Sequence, residues 1–257
     1  MPNESSPVPP ARPAPSPLTN LRDLGGLPVS GGRLRAGLLW RADDPSLSPD
    51  DEIDGLVRRG LTTVIDLRSP EEAAFTGRGA LARTAVAYHH LPLTDRMAVP
   101  EALAIARLRG ARPDDMAAWY AELFRERAPQ LVQGFRIAVD APGTTLFHCS
   151  AGKDRTGVFA AALLRVLGAT HEVIADDYAR TSVALDATRA RLRPVVDGIL
   201  GVDRPQPPAG APALGAEAEI MSMALRRLDE AEGVVGRLRA AGLTDALHAR
   251  LRRRFVD

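Results

Sequence analysis

The sequence predicts an α/β domain with a central, mostly parallel sheet flanked by helices. Two patterns carry that expectation. From residue 38 onward, short β-rich runs alternate with amphipathic helical stretches, as strand, helix, strand, helix. One run, Thr144-Thr145-Leu146-Phe147, opens at the turn signal Pro142-Gly143 and passes through a polar loop straight into an apolar helical stretch. With 257 residues, the chain can bury one sizeable core.

The elements follow in order. Residues 1–17 carry Pro7, Pro9, Pro10, Pro13, Pro15 and Pro17 and read as a disordered Pro-rich tail, because such a segment buries too little to order itself. Residues 18–257 then form a single domain that includes the C-terminal helices. Asn20 to Gly26 is a polar turn with two glycines, and Leu38 to Ala42 is a short strand. Ser48-Pro49-Asp50-Asp51 is a helix start, with Ser48 as N-cap, proline in the first turn and a carboxylate behind it. Ile53, Leu56 and Val57 give this helix its apolar stripe, and Gly60 stops it. Leu61 to Leu67 is a β-rich run, and Ser69-Pro70-Glu71-Glu72 repeats the capping logic for a short helix.

Ala85 to Leu93 is the next strand; its His89 and His90 point to opposite faces and so do not act together. Pro100 to Val139 is helical throughout, with Met116, Trp119, Tyr120, Leu123 and Phe124, then Leu131, Phe135 and Val139, as core. Val158 to Leu167 is a helix stopped by Gly168. Val173, Ile174 and Tyr178 mark another, and residues 182–199 a third. Residues 203–215, with four prolines, are a linker or loop. Ile220, Met221, Ala224, Leu225 and Leu228 form a further stripe. Leu247, Leu251 and Phe255 define a last helix, whose Arg250, Arg252, Arg253 and Arg254 are a solvated face or, alternatively, a weak anchor for anionic lipid.

The chemistry concentrates in His148-Cys149-Ser150-Ala151-Gly152-Lys153-Asp154-Arg155-Thr156-Gly157, which holds the only cysteine and the only lysine of the chain. A loop between a strand and a helix start gathers backbone N–H groups at the positive helix end, a ready anion site. Gly152 lets that backbone close around the anion. Arg155 offers a planar fork for two phosphate oxygens. Electropositive helix-start sites favour the thiolate of a cysteine. A helix terminus contributes at most about 2 kcal/mol, so the loop amides, Lys153 and Arg155 must add to it. A thiolate facing a phosphate ester is placed for in-line attack on phosphorus, and the Thr156 hydroxyl steadies it as it leaves. A merely structural cysteine would not require Gly, Lys, Arg and Thr at these offsets. A Walker loop is excluded, because Phe147 and Asp154 stand where it needs glycine and a hydroxyl residue.

This stretch resembles the signature of the cysteine-dependent protein tyrosine and dual-specificity phosphatases, and the full string with Ala-Gly-Lys-Asp-Arg-Thr-Gly resembles the bacterial branch typified by the mycobacterial secreted phosphatase B. Asn20-Leu21-Arg22-Asp23-Leu24-Gly25-Gly26 and Asp66-Leu67-Arg68 are similar to further motifs of that branch, with Leu21 where phenylalanine is usual. The resemblance implies the cysteine-dependent phosphatase fold with a helical lid over the site, formed by helices near the C-terminus. It implies Cys149 and Arg155 as catalytic residues, with Ser150, Ala151, Gly152, Lys153 and Thr156 binding the phosphate. Arg22 or Asp23 is expected to brace the loop. Asp66, at the C-terminal strand edge where open α/β sheets hold ligands, is either an active-site residue or a strand-end cap.

Expelling the alcohol needs a general acid. No aspartate stands in the Trp-Pro-Asp context usual for the family. Asp154 comes first by resemblance, since a bound phosphate dianion favours its protonated form while Lys153 and Arg155 oppose it; Asp66 and Asp95 follow. The substrates implied are phosphotyrosine, then phosphoserine or phosphothreonine, and phosphoinositides, for which Lys153 supplies a second cation. A catalytically weak phospho-ligand-binding module and thiol redox chemistry of the arsenate-reductase kind are the alternatives; the latter relies on further cysteines, and this chain has none.

A net charge of +1 argues against a nucleic-acid binder. No Cys/His cluster indicates a metal, and no cofactor is implied. No run approaches the ~20 apolar residues of a membrane span, and no hydrophobic leader is visible. A single reactive thiol suits a reducing compartment, so the expected location is cytoplasmic, with export lacking a recognisable signal left open. Composition leaves the oligomeric state undetermined.

Overall fold

The computed structural model describes residues 13–96, 112–200 and 215–257. Its centre is a five-stranded sheet in the order β1 (Arg22–Asp23), β4 (Leu39–Ala42), β7 (Thr144–His148), β5 (Leu61–Asp66) and β6 (Ala87–His90). β4, β7, β5 and β6 run parallel, and β1 is an antiparallel edge. Two short strands, β2 (Pro28–Val29) and β3 (Gly32–Arg33), pair separately. The middle strand is the apolar run at 144–148, buried along its whole length. Its alternation feeds two cores. Leu146 joins Trp40, Val64, Ile53 and Leu56 on one face. Phe147 joins Leu39, Ile65 and Phe159 on the other, with the Phe147 and Phe159 rings 4.8 Å apart.

Helices α1 (Asp50–Arg58) and α2 (Pro70–Thr76) follow β4 and β5. α3 (Pro113–Glu126) and α4 (Ala128–Asp140) precede β7, and α5 (Asp154–Leu167) follows it. Then come α6 (His171–Ala179), α7 (Leu185–Leu200), α8 (Ala218–Ala231), α9 (Val234–Ala240) and α10 (Asp245–Phe255). α5 is the axle of the larger core: nearly every residue from Arg155 to Leu167 is buried, and its C-cap Gly168 is left-handed at φ 90°.

Several expectations need correction. The helical stretch ending at Val139 is two helices that meet at Arg127, because Pro129 has no N–H with which to continue the ladder of α3; residues 97–111 of that stretch lie outside the described residues. Ser48 does not cap α1. Pro49 stands at the N-cap, while Ser48 closes a 3₁₀ turn at Pro45–Leu47 and its hydroxyl accepts from Arg191 at 3.2 Å. The stretch at 182–199 begins as a 3₁₀ turn, Arg180–Ala184, before α7. Ser69 and Glu72, by contrast, form the reciprocal cap the sequence indicates.

Packing against the body of the protein is already present at Ser16, inside the segment expected to be tail. Its N–H donates to the Leu47 carbonyl at 2.8 Å and its carbonyl accepts from Arg191 at 3.0 Å. Residues 1–12, and 203–214 of the expected linker, lie outside the described residues. The last helices pack into the body of the protein. Leu247, Leu251 and Phe255 of α10 belong to the main core together with Ile220 and Leu225 of α8. The helix packed on the polar loop is α7, whose Leu192 and Val195 cluster with Leu47, Phe75 and Ala151. Arg191 ties it down through a buried ion pair to Asp43 at 2.7 Å.

Candidate active site

β7 ends at His148 and α5 begins at Asp154, so the five-residue loop Cys149–Lys153 lies at the C-terminal edge of the central strand. Its carbonyls are claimed from outside. Ser150 O accepts from the Asp44 amide at 3.0 Å. Ala151 O and Gly152 O accept from Asn20 Nδ2 at 3.0 and 3.2 Å, and Gly152 O also accepts from Arg41 Nη2 at 2.9 Å. In a trans peptide the following N–H points the opposite way. The amides of Ala151, Gly152 and Lys153 therefore turn inward. Gly152 sits at φ +67°, and a Cβ there would lie 2.5 Å from the Ala42 carbonyl oxygen, so only glycine allows this closure. No side chain caps the start of α5, which keeps its first-turn amides available to an anion.

Cys149 is 2% exposed at the base of this cradle. Arg155 closes one side, and both terminal nitrogens bind Glu72: Nη2 to Oε1 at 2.8 Å and Nη1 in a shorter contact to Oε2. Burial alone would raise the Glu72 carboxyl. The Arg155 charge and the hydrogen bonds from Arg155, Ser150 and the Ser69 amide outweigh it and hold the group down to about 2. The Arg155 guanidinium, disfavoured by burial, is lifted above its ordinary range by Glu72. Arg41 Nε and His148 Nε2 nearby are buried without a hydrogen-bond partner, and two further such atoms belong to the first turn of α5, Arg155 Nε and Thr156 Oγ1. Buried polar groups are rarely left unsatisfied. An anion seated on the loop amides fits both of the latter.

A second shell of charge braces the loop. Arg41, 1% exposed, bridges Gly152 O and Asp177 Oδ2, the latter at 2.6 Å. Arg22 reaches the loop at one remove, through Asn20 Oδ1 at 2.6 Å, and binds Asp177 Oδ1 at 2.9 Å. Burial and the neighbouring Arg41 lower the Arg22 guanidinium to about 10. Asp23 instead holds the backbone of Gly25 and Gly37, at 2.8 and 2.6 Å. Among the described residues no cluster of His, Cys, Asp and Glu is suited to hold a metal ion.

Comparison with known proteins now decides the family. A profile described as the tyrosine phosphatase family matches residues 15–257. The chain belongs to the tyrosine phosphatase family. A Cupriavidus necator protein named provisionally as a tyrosine-protein phosphatase is 36% identical over 172 residues, which cover 63% of this chain and 59% of the relative. The triple specificity protein phosphatase PtpB of Mycobacterium tuberculosis is 29% identical over 265 residues, covering 91% of this chain and 95% of the relative. The crystal structure of P. aeruginosa TpbA aligns at 18% identity and a TM-score of 0.33, over 65% of this chain and 81% of that one.

Around this loop the aspartates separate. Asp154 opens α5 with its side chain 28% exposed, and Lys153 Nζ lies 3.5 Å from its Oδ1. The same oxygen accepts a short hydrogen bond from Tyr120, whose hydroxyl lies 2.7 Å from that of Tyr178. Asp95 is 80% exposed and paired with Arg127 at 2.7 Å. Asp66 is fully buried. It accepts from Arg68 Nε at 2.9 Å and from Tyr88, and its carboxyl lies below the ordinary range because His148 and Arg68 overcome the cost of burial. Its Oδ1 also accepts from the Arg68 amide at 2.9 Å. His148 is fully buried, and burial lowers its pKa against the opposing pull of Asp66; its Nδ1 lies 3.1 Å from Cys149 O. Sequence reasoning missed Glu72, Asn20, Arg41, Asp177 and Tyr120. Glu72 left a trace as the last residue of the capping box, and Asn20 as the first residue of the motif at 20–26.

Proposed function

We propose that this protein hydrolyses phosphate monoesters, phosphotyrosine foremost, through a phosphocysteine on Cys149. The observation that carries the reading is the cradle: inward amides of Ala151, Gly152 and Lys153 above a buried thiol, with Arg155 Nε buried and unpartnered beside them. Three amides and a guanidinium edge match the equatorial oxygens of a phosphoryl group. The Cys149 thiolate attacks phosphorus in line. As the S–P bond forms and the P–O bond breaks, Asp154 gives its proton to the departing oxygen, which leaves as a neutral alcohol. In the second step the Asp154 carboxylate takes a proton from water as its oxygen attacks phosphorus. The S–P electron pair returns to Cys149, where the Thr156 hydroxyl receives it.

Activity on phosphoserine, phosphothreonine and phosphoinositides extends the proposal. Its support is the similarity, over nearly the whole chain, to the mycobacterial relative, a triple specificity protein phosphatase. Lys153, at the rim of the cradle and close to Asp154, is the residue we assign to a second phosphate. No helix among the described residues is long and apolar enough to cross a membrane, so a lipid headgroup would be met at the surface. The test is phosphate release at pH 5 to 7 from a phosphotyrosine peptide, a phosphoserine peptide and a phosphoinositide, beside Cys149→Ser. Turnover abolished in the mutant supports the mechanism, and the ranking assigns the substrate class. Binding of phosphate with no turnover on any of the three would overturn it in favour of a phospho-ligand module. Phosphoinositide turnover unchanged in Lys153→Met would remove the role given to that lysine.

A further inference from the structure

Two phenols lie behind Asp154 in the core. Tyr120 from α3 is 1% exposed and Tyr178 from α6 is 1% exposed, and their rings meet edge to face at 5.9 Å. Each phenol has one proton to donate. Tyr120 spends its proton on Asp154 Oδ1. The 2.7 Å contact between the two hydroxyls is then a donation from Tyr178 to Tyr120. The chain runs one way, from Tyr178 through Tyr120 to Asp154.

We infer that Tyr120, backed by Tyr178, is a positioning residue that fixes which oxygen of Asp154 carries the catalytic proton. This rests on the reading of Asp154 as the general acid. With Oδ1 occupied as an acceptor, the acid proton resides on Oδ2, the oxygen left for the leaving group. Once the proton has gone, the same hydrogen bond holds the new carboxylate in place for its return role as base. Burial, reinforced by Asp154 and Tyr178, keeps the Tyr120 phenol protonated well beyond neutral pH, and burial does the same for Tyr178. The donors therefore do not change state while Asp154 cycles. The charged groups that face this chain are Lys153 and Arg155 beside Asp154, and Arg41 and Glu217 beside Tyr178. None of them takes the place of the Tyr120 proton on Oδ1.

The experiment uses the full chain and two aryl phosphates. Phenol needs a proton to leave, and a nitrophenol departs readily without one. Tyr120→Phe should lower kcat about tenfold on phenyl phosphate, the scale of one charge-assisted hydrogen bond, with KM unmoved and the nitrophenyl ester nearly unaffected. Tyr178→Phe, a gentler perturbation of the core, should show the same split at about threefold. The double variant Tyr120→Phe/Asp154→Asn should match Asp154→Asn alone, because the tyrosine acts only through the acid. Equal losses on both esters, or additive losses in the double variant, would overturn the inference while leaving Asp154 as the acid. An Asp154→Asn enzyme with wild-type turnover on phenyl phosphate, beside an inactive Cys149→Ser, would overturn the acid assignment itself.

Discussion

Two buried arginines follow neighbouring strands of the same sheet edge, Arg68 after β5 and Arg155 after β7. They are 1% and 4% exposed, and in both the flanking carboxylates lift the guanidinium above its ordinary range against the cost of burial. Their accounting differs. Arg68 spends every side-chain nitrogen inside the protein: Nε on Asp66, Nη1 on Asp44, Ser46 and Thr76, Nη2 on Asp66 and the Gly77 carbonyl. Arg155 meets one carboxylate, Glu72, and one hydroxyl, Thr94, and keeps Nε without a partner. A closed set of bonds makes scaffold. A set left one bond short, next to a thiol and a row of inward amides, makes a binding site.

The largest test of this contrast is thermodynamic. Arg68→Met leaves Asp44 and Asp66 buried without their cation and should cost about 3–5 kcal/mol of folding stability, read as a lowered urea midpoint. Turnover per folded molecule should hardly move. Next comes Arg155→Lys, which keeps the charge and loses the fork. It should lower kcat by about 10²–10³-fold, the scale of a lost transition-state donor, while the urea midpoint falls far less than in Arg68→Met. If the two variants exchanged these phenotypes, the contrast between scaffold and site would be wrong.

Glu72 links the two roles, since it both caps α2 and holds Arg155. Its carboxyl is lowered from an ordinary 4.5 to about 2, so its contribution is complete above about pH 4.5 and drains away as pH falls toward 2. That contribution is about 3 kcal/mol. Urea midpoints measured between pH 2 and 5 should show the wild type losing its advantage over Glu72→Gln toward the acid end. A constant gap across that range would break the assignment. The smallest expected effect on stability is Gly152→Ala, at about 1–3 kcal/mol for strained backbone. Its Cβ would press on the Ala42 carbonyl, so activity should fall more than stability does, measured as kcat against the melting temperature.

Much of this molecule was legible along the chain. The short apolar run at 144–147, the helix behind it and the alternation of strand and helix upstream determined the parallel sheet and put the polar loop at its edge. The offsets of Cys149, Gly152, Arg155 and Thr156 determined the kind of site, because each residue type does a local job that spacing alone can supply. Ser69 and Glu72 determined a cap, since that hydrogen bond spans three residues. Pro129 carried the break between α3 and α4 in plain view, yet the apolar stripe runs on through it and concealed the join.

Tertiary structure decided whatever depends on partners far apart in sequence. Glu72 reaches Arg155 across 83 positions, and Asn20 reaches the Ala151 carbonyl across 131. No periodicity encodes such pairs, because they exist only where strands from distant segments end side by side. The fate of Asp66 was of this kind. Its strand-end position suited a ligand equally well, until Arg68, Tyr88 and the buried His148 closed around it. The sequence by itself determined which groups could do phosphate chemistry. Folding decided which of them were left with a bond to spare, since a donor's free capacity is set by everything packed against it.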